Sequence, residues 1–399
     1  MLLSDASGLL ARKTDADKDR STWNFCSWTQ IESAAFGGHD VIANRKIAAG
    51  EVIISELPLL HAAAPDTNED GWASASLRAF AGASATVQAR VLAISAAGDH
   101  EEAARSDGSS KEQGATAADN QKRMCAEATN EVARCADQPW RRAALPIIND
   151  EMLCRVVHIF HLNGYTYGAK SELTALFALG CQLNHSCDAN VRYKMSTDAS
   201  GHGCFVARRD IASGESLCTN YIGEYADIMS TPARRDALLA SKLFTCRCAK
   251  CSASVDPHRH VPCPGCHKRQ GAERELARQI AWDSKGHVHY ARPISADPDA
   301  RWLCERCPEQ RWRIEQVIPG PGSAGGLEGR AWERVVERHV LHLEARAEAA
   351  FERGDGVSLE GEANEMHGLV MHSLGRRHWT TVRTAEIVAG VRAQAADGR

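Results

Sequence analysis

The chain has 399 residues, 44% hydrophobic and 25% charged, with a formal net charge of −4. That length exceeds what one ordinary core organises, so two or three domains are expected. The near-neutral balance leaves no electrostatic footprint for nucleic acid, and no window approaches the ~20 apolar residues of a membrane helix. The opening, MLLSDASGLLARKTDADKDR, has a short apolar start and then mixed charges. It fits neither a secretory leader nor a transit peptide, so a soluble protein of the nucleus or cytoplasm is expected.

Residues 39–56, HDVIANRKIAAGEVIISE, read as two short strands around a turn at Ala49-Gly50, closed by Pro58. From about 72 to 145 the sequence is Ala-rich and helical. Within it, residues 98–120 have low hydrophobicity and many small polar residues, which reads as a flexible insert. Residues 147–161 and 171–180 show helical apolar spacing. VRYKM, CFVARRDI and ESLCTNY read as short strands between glycine-containing turns. A short helix after Pro232 runs into a cysteine cluster at 246. Residues 252–325 are rich in Pro, Gly and His and look irregular, as metal-held modules do. From 327 helical spacing returns, with Trp332, Val336, Val340 and Leu343 on one face and further helices over 358–374 and 379–395.

Fifteen cysteines in a reducing compartment call for an explanation other than disulfides. CRCAKC supplies Cys246, Cys248 and Cys251, which suit a tetrahedral zinc ion but leave it one ligand short. A distant residue must complete the set, and Cys187, in LGCQLNHSCDANVRY, is the candidate. CPGC (Cys263, Cys266) and CERC (Cys304, Cys307) form a second four-cysteine set, although the 37 residues between the knuckles exceed the usual ribbon spacing. CPGCH also matches a c-type haem attachment pattern, but haem would leave Cys304 and Cys307 unexplained. Neither set has an open coordination position, so both are read as structural. Cys26, Cys125, Cys135, Cys154, Cys181, Cys204 and Cys218 are expected to be small buried hydrophobes.

LNHSCDAN (183–190), GESLCTNY (214–221) and FTCRCAKC (244–251) stand in the order and spacing of SET-domain protein lysine methyltransferases. The run GESLCTNYIGEYADIMSTPARRDALLASKLFTCRC and the segment VIANRKIAAGEVIISELP (41–58) are similar to the SET–MYND branch, without its MYND zinc finger. The resemblance implies an α+β SET-domain fold: small twisted sheets with knot-like threading, a zinc-bound post-SET region and an α-helical C-terminal domain. It divides the chain into an N-terminal extension (1–30), the first SET part (31–60), a helical and partly disordered insert (61–145), the second SET part (146–243), a post-SET region with a second, four-cysteine zinc module (244–325) and a helical domain (326–399).

The same resemblance implies S-adenosylmethionine as methyl donor, two structural zinc ions and a lysine-bearing histone or non-histone protein as substrate. Asn184 and His185 would hold the cofactor, Phe244 would stack on its adenine, and Gly38, His39 and Asn163 would add contacts. Tyr221 would be the catalytic tyrosine at the mouth of the lysine channel. Cys187 would complete the zinc site with Cys246, Cys248 and Cys251. Three departures stand out: Asp40 replaces the second glycine of a Gly-x-Gly loop, Ala189 replaces a proline, and Lys242 stands where the branch often has a second channel tyrosine. The other reading from the sequence is a SET-fold scaffold that has lost catalysis and contacts proteins through its zinc module and helical tail. A zinc-ribbon nucleic-acid binder is a third, disfavoured because the flanks of the knuckles are not strongly basic.

Overall fold

The computed structural model describes residues 28–32, 39–63, 72–94, 111–144, 148–168, 173–195, 201–268, 290–295, 297, 300–318 and 329–397. The chain divides into two units, Met1–Tyr221 with Leu238–Phe244, and Ile222–Ala237 with Thr245–Arg399. Among the described residues no helix is long and apolar enough to cross a membrane.

The first unit combines small sheets with a helical layer. β1 (Trp28–Glu32) pairs antiparallel with β2 (His39–Ala43). β3 (Val52–Glu56) does not return to β2 across the turn; it joins a separate sheet. Gly50 makes that turn at a φ of +84°, which favours glycine. β4 (Leu60–Ala63) precedes helices α1 (Trp72–Gly82), α2 (Ala85–Leu92), α3 (Lys111–Arg134), α4 (Pro139–Ala144) and α5 (Asp150–Asn163). α5 starts where the Asn149 side chain accepts the Met152 N–H at 2.8 Å, with Asp150 and Glu151 in the first turn against the positive end of the helix. Leu77, Phe80, Ala128, Val132, Leu153, Val156 and Phe160 close a core between these helices.

The flexible stretch expected over 98–120 ends earlier, because α3 already begins at Lys111. Ala115, Ala117 and Ala118 with Lys111, Glu112 and Gln113 are strong helix formers, and helix propensity does not require hydrophobicity. Residues 98–110 lie outside the described residues. The helix expected over 171–180 is also corrected. β5 (Tyr165–Tyr167) and β6 (Leu173–Leu176) form a hairpin, and β6 pairs with β4 on its other edge. A short apolar run reads equally as helix or buried strand, and pairing on both edges decides for strand.

β7 (Asn184–His185) follows a 3-10 turn at Gly180–Gln182. β8 (Val191–Met195) and β9 (Gly203–Ala207) pair with each other, and β9 with β3. Ile47, Ile53, Phe177, Val191, Phe205, Ile211 and Leu217 form the sheet core. β10 (Cys218–Thr219) is far shorter than the ESLCTNY strand expected, with Ser216 adding only an isolated bridge to Ile42.

α6 (Thr231–Lys242) gives its first turns to the second unit and its last to the first. α7 (Ala249–Ser252) carries Cys251. The segment expected to be irregular holds an antiparallel sheet in the order β11 (Val261–Pro262), β12 (Tyr290–Pro293), β13 (Trp302–Cys304) and β14 (Cys307–Trp312), with α8 (Pro264–Lys268) in its first knuckle. The strands are two to six residues long, too short for a periodic signal in the sequence. α9 (Ile314–Val317) leads to the helical tail, α10 (Gly329–Glu352), α11 (Glu360–Ser373) and α12 (Trp379–Asp397), as the spacing predicted.

The second unit buries an ion-pair network. Arg259 forks onto Glu333 through two bonds of 2.7 Å, and Arg330 reaches Glu333 at 3.0 Å and Glu337 at 2.8 Å. His378 Nε2 lies 3.2 Å from Glu333, and Trp379 donates to Glu337 at 2.9 Å. Glu333, Glu337 and His378 bring their ligand atoms within 4.8 Å of one another, a metal-like grouping. Burial alone would raise the Glu333 carboxyl, yet the charges of Arg259 and Arg330 hold it well below its ordinary value. Guanidinium groups thus supply the positive charge that this cluster requires.

Candidate active site

Two very short strands build the centre of the site. β7 and β10 pair in parallel, Asn184 opposite Cys218 and His185 opposite Thr219, and the Ser186 N–H donates to the Thr219 carbonyl at 3.1 Å. Tyr221 follows Thr219 by two residues, so this pairing brings it to His185. The Tyr221 N–H donates to His185 Nδ1 at 3.1 Å, and the two rings lie 5.2 Å apart. An accepting Nδ1 places the proton of the neutral imidazole on Nε2, which faces Cys187 Sγ at 3.2 Å. The Tyr221 hydroxyl donates to the Leu183 carbonyl at 2.7 Å, and burial pushes its phenol well above the ordinary value. Tyr221 is therefore a neutral, oriented donor.

Phe244 stands edge-on to both rings, 5.8 Å from His185 and 6.4 Å from Tyr221. It arrives there because α6 ends at Lys242 and Leu243 adopts a φ of 64°. That left-handed conformation costs a non-glycine residue roughly 1–2 kcal/mol, so the surrounding packing enforces the reversal. Lys242, on the near side of it, donates to the carbonyls of His161 (3.2 Å) and Leu162 (2.7 Å) at the end of α5. Its ammonium lies over the Tyr221 ring, 5.8 Å from the centroid. Burial brings the Lys242 value down to about 8.

Three further polar side chains hold this arrangement, and none was assigned a role from the sequence patterns. Asn190 is buried and uses both ends of its amide. It donates to Glu215 Oε1 and the Ser216 carbonyl and accepts the Cys218 N–H, each at 2.8 Å, which fixes β10. Glu56, only 3% exposed, accepts the Leu179 and Gly180 N–H groups at 3.0 and 2.8 Å and anchors the 3-10 turn before β7. Tyr165 secures the same turn by donating to the Gly180 carbonyl at 2.9 Å. Glycine is required at 180, since a Cβ there would lie 2.1 Å from Phe205 Cζ. Asn190 ends the LNHSCDAN motif and Glu56 interrupts the apolar VIISE run; these were the available signals.

Of the predicted cofactor residues, Asn184, His185, Tyr221 and Phe244 come together in one unit. Asn184 donates to Asp40 Oδ1 at 2.6 Å, so the aspartate that replaces a glycine bonds directly to this turn. Asn163 closes α5 and turns its amide back to the Ile159 carbonyl at 3.1 Å. His39 opens β2, opposite Glu32, and Gly38 lies outside the described residues.

The cysteines divide as the spacing suggested. Cys263, Cys266, Cys304 and Cys307 bring their sulfurs within 4.8 Å of one another, with measured pairs of 3.9, 3.8 and 3.6 Å. A disulfide needs ~2.05 Å, whereas tetrahedral Zn–S bonds of ~2.3 Å separate sulfurs by roughly 3.8 Å. The all-thiol donor set and its spacing fit a closed structural zinc. Gly265 is part of that fit, because a Cβ there would come within 2.7 Å of Trp312 Cζ2 and 3.2 Å of Cys307 Sγ. Cys246, Cys248 and Cys251 also group within 4.8 Å, with Arg234 Nη2 3.6 Å from Cys251 Sγ and Arg235 on the Cys246 and Cys251 carbonyls at 3.1 Å. Cys187 is buried in the first unit. Among the remaining cysteines Cys125 is a correction: it is exposed on α3, whose buried stripe runs through Met124, Ala128 and Val132 instead. Cys26 lies outside the described residues.

The family model for the SET domain matches residues 38–222. The chain carries a SET domain. β2 to β10 and the Asn184–His185–Tyr221 centre fall within it, and Phe244 and Lys242 lie just beyond its end. Among similar proteins, the histone-lysine N-methyltransferase ATXR2 of Arabidopsis thaliana is 35% identical over 89 residues, 22% of this chain and 18% of that one. The histone-lysine N-methyltransferase SET5 of Vanderwaltozyma polyspora is 29% identical over 86 residues, 22% of this chain and 16% of its own. The chain thus spans less than a fifth of the length of these curated relatives. The crystal structure of the SET domain of LSMT bound to lysine and AdoHcy is 11% identical, with a TM-score of 0.41 over 94% of this chain and 88% of that one.

Proposed function

We propose that this protein is an S-adenosylmethionine-dependent protein-lysine N-methyltransferase acting on a lysine of a histone or non-histone protein. The observation that carries the reading is the meeting of Tyr221, the Asn184–His185 turn and Phe244 at the parallel β7–β10 pair, inside the SET domain. Asn184, His185 and Phe244 would hold the cofactor, with Asn163, Gly38 and His39 adding contacts. When bound, S-adenosylmethionine supplies a methyl group made electrophilic by its sulfonium. The Phe244 ring offers a flat apolar face to a heterocycle. Because both His185 ring nitrogens face protein groups, His185 serves the cofactor through its backbone and through the orientation it gives Tyr221.

Tyr221 would line the acceptor's path. Its hydroxyl is already fixed on Leu183, and holding nucleophile and methyl in line is worth up to ~7–11 kcal/mol of effective proximity. The incoming lysine must be neutral to attack, although its free value is ~10.4. Around Tyr221 the buried surroundings disfavour an ammonium. Two zinc ions would be structural: one on Cys263, Cys266, Cys304 and Cys307, the other on Cys246, Cys248 and Cys251 with Cys187 as fourth ligand. The helical tail would contact protein partners.

A radiolabelled-methyl assay on a whole-cell protein extract tests the reading. Wild type should label protein lysines, and Tyr221→Phe should lower labelling by at least ~100-fold while calorimetry shows cofactor affinity retained. Labelling that survives the substitution refutes the assignment. One observation favours a catalytically silent scaffold instead: Asp40 already takes the Asn184 amide. Calorimetry showing no S-adenosylmethionine binding by wild type would establish that alternative.

A further inference from the structure

The four-stranded sheet around the second cysteine set buries one face and leaves the other outside the core. Val261, Ala291 and Trp302 of β11, β12 and β13 point into the second unit's core, so the residues alternating with them point outward. The outer face carries Tyr290 and Arg292 on β12, with His260 just before β11 and Arg301 just before β13. Arg301 is exposed and the other three are half-buried. The link between α11 and α12 adds Arg376 and Arg377, both exposed. That link is fixed beside β11: Arg259 bridges His378, and the Trp379 N–H donates to the His258 carbonyl at 3.0 Å. The Arg377 guanidinium then lies over the Tyr290 ring, 4.7 Å from its centroid. The knuckles' own flanks are not strongly basic, and the helical tail brings the missing cations to them.

Little opposes these charges. Among the described residues no carboxylate pairs with Arg301, Arg376 or Arg377. Arg292 meets Glu305 only at 3.9 Å, on a carboxylate that is 87% exposed, and such surface pairs contribute little. His260 donates from Nδ1 to the Pro257 carbonyl at 2.9 Å, which leaves Nε2 as an acceptor in the neutral ring. Burial, and then the Arg377 and Arg292 charges, hold the imidazole below its ordinary value against the Pro257 bond and Asp256. Asp256 itself is buried and already accepts the Thr231 and His258 N–H groups.

We propose that this outer face, with Arg376 and Arg377, binds single-stranded RNA. Guanidinium groups fork onto phosphate oxygens, and four of them with one loosely held acid between them match a chain that carries a negative charge at every nucleotide. The Tyr290–Arg377 pair is a flat stack that a base can extend, as bases stack on aromatic rings and on guanidinium planes. An acidic protein segment would use the cations but not this stack. The His260 Nε2 acceptor stands among donors and matches the ribose 2′-OH, a donor that the DNA backbone lacks. Such binding does not depend on methyl transfer.

Fluorescence anisotropy of the full chain tests this with three labelled probes: a mixed-sequence single-stranded RNA of about 15 nucleotides, DNA of the same sequence, and poly-glutamate of similar length. Wild type should bind the RNA most tightly. With about three phosphates neutralised, affinity should fall roughly 20-fold between ~50 and ~200 mM salt. Arg376→Gln combined with Arg377→Gln should reduce that fall to about eightfold or less, and Tyr290→Leu should weaken binding about tenfold at constant salt. Arg376 and Arg377 are exposed, so their double variant folds and decides the matter even where Tyr290→Leu loses zinc. No RNA binding by wild type at ~50 mM salt overturns the proposal, and so does binding that the double arginine variant leaves unchanged. Equal or tighter binding of the DNA overturns the choice of RNA. Tighter binding of poly-glutamate overturns it in favour of an acidic protein segment.

Discussion

Replacing Glu56 by glutamine should change how stability depends on pH. Glu56 is buried without a cationic partner at bonding distance among the described residues, and its carboxylate faces the Leu179 and Gly180 N–H groups. Burial raises its value from 4.5 to about 7, with those N–H groups pulling the other way. A raised folded-state value means that the native protein binds this proton more tightly than the unfolded chain does. The contribution is therefore fully present below pH 4.5 and is lost as pH rises through 7. Over that whole range the group contributes about 3 kcal/mol, of which about 2 kcal/mol disappears between pH 5.5 and 8.5. Glutamine does not titrate. Its single oxygen, placed as Oε1, still accepts both N–H groups, and its amide nitrogen replaces only the longer 3.2 Å contact to Leu179, a roughly 1 kcal/mol cost independent of pH. Urea midpoints of wild type and Glu56→Gln, measured in parallel from pH 5.5 to 8.5, should thus move toward the variant by about 2 kcal/mol as pH rises. Zinc thiolates and surface carboxylates titrate in both proteins and cancel in the difference. A difference that stays flat, or that moves toward wild type, would show that the two N–H groups outweigh burial and would refute the reasoning.

Asn190→Ala removes three hydrogen bonds of 2.8 Å and leaves the half-buried Cys218 N–H and Ser216 carbonyl without this partner. Thermal unfolding should show a loss of about 2–4 kcal/mol, and methyl transfer should fall because β10 carries the chain to Tyr221. Elemental analysis should find two zinc ions per chain and one in Cys304→Ser, with strong chelators destabilising the protein as they strip the metal. Arg259→Met leaves Glu333 with half its cationic partners in a site where Glu333 is fully buried. It should cost about 3–5 kcal/mol by chemical denaturation, and Arg259→Met with Glu333→Leu should recover part of that loss.

Much of the site was legible because its residues sit in compact motifs. Asn184, His185 and Cys187 share one turn, Tyr221 closes GESLCTNY, and Phe244 precedes the cysteine cluster. The helical tail was legible too, because α10, α11 and α12 are long enough for their apolar spacing to repeat. Sheet membership was not. β2 and β3 flank one turn yet join different sheets, and β6 carries a sequence with helical spacing. Strand partners are chosen by long-range pairing, which leaves no mark on a run of four or five residues. The small sheet that carries the second cysteine set was hidden for the same reason.

The least legible layer is the one that holds the motif residues in place. Asp40 meets Asn184, Glu56 meets Leu179 and Gly180, and Lys242 meets His161 and Leu162, each across 80 or more residues of chain. Glu56 and Lys242 bond to backbone groups that any sequence would supply at those positions, so no pairing of residue types signals them, and Asp40 meets the Asn184 side chain across 144 residues of chain. Each is nevertheless demanding, since a buried polar group left unpaired costs more than a satisfied one gains. The motif histidine shows how the two layers join. His185 Nδ1 accepts from the Tyr221 backbone while Nε2 faces Cys187 Sγ, and an asparagine, whose oxygen could replace Nδ1, would not reach the second partner. A histidine at 185 is thus required by the geometry of Tyr221 as much as by any ligand, and the same logic extends outward through Leu183 and the 3-10 turn to Glu56.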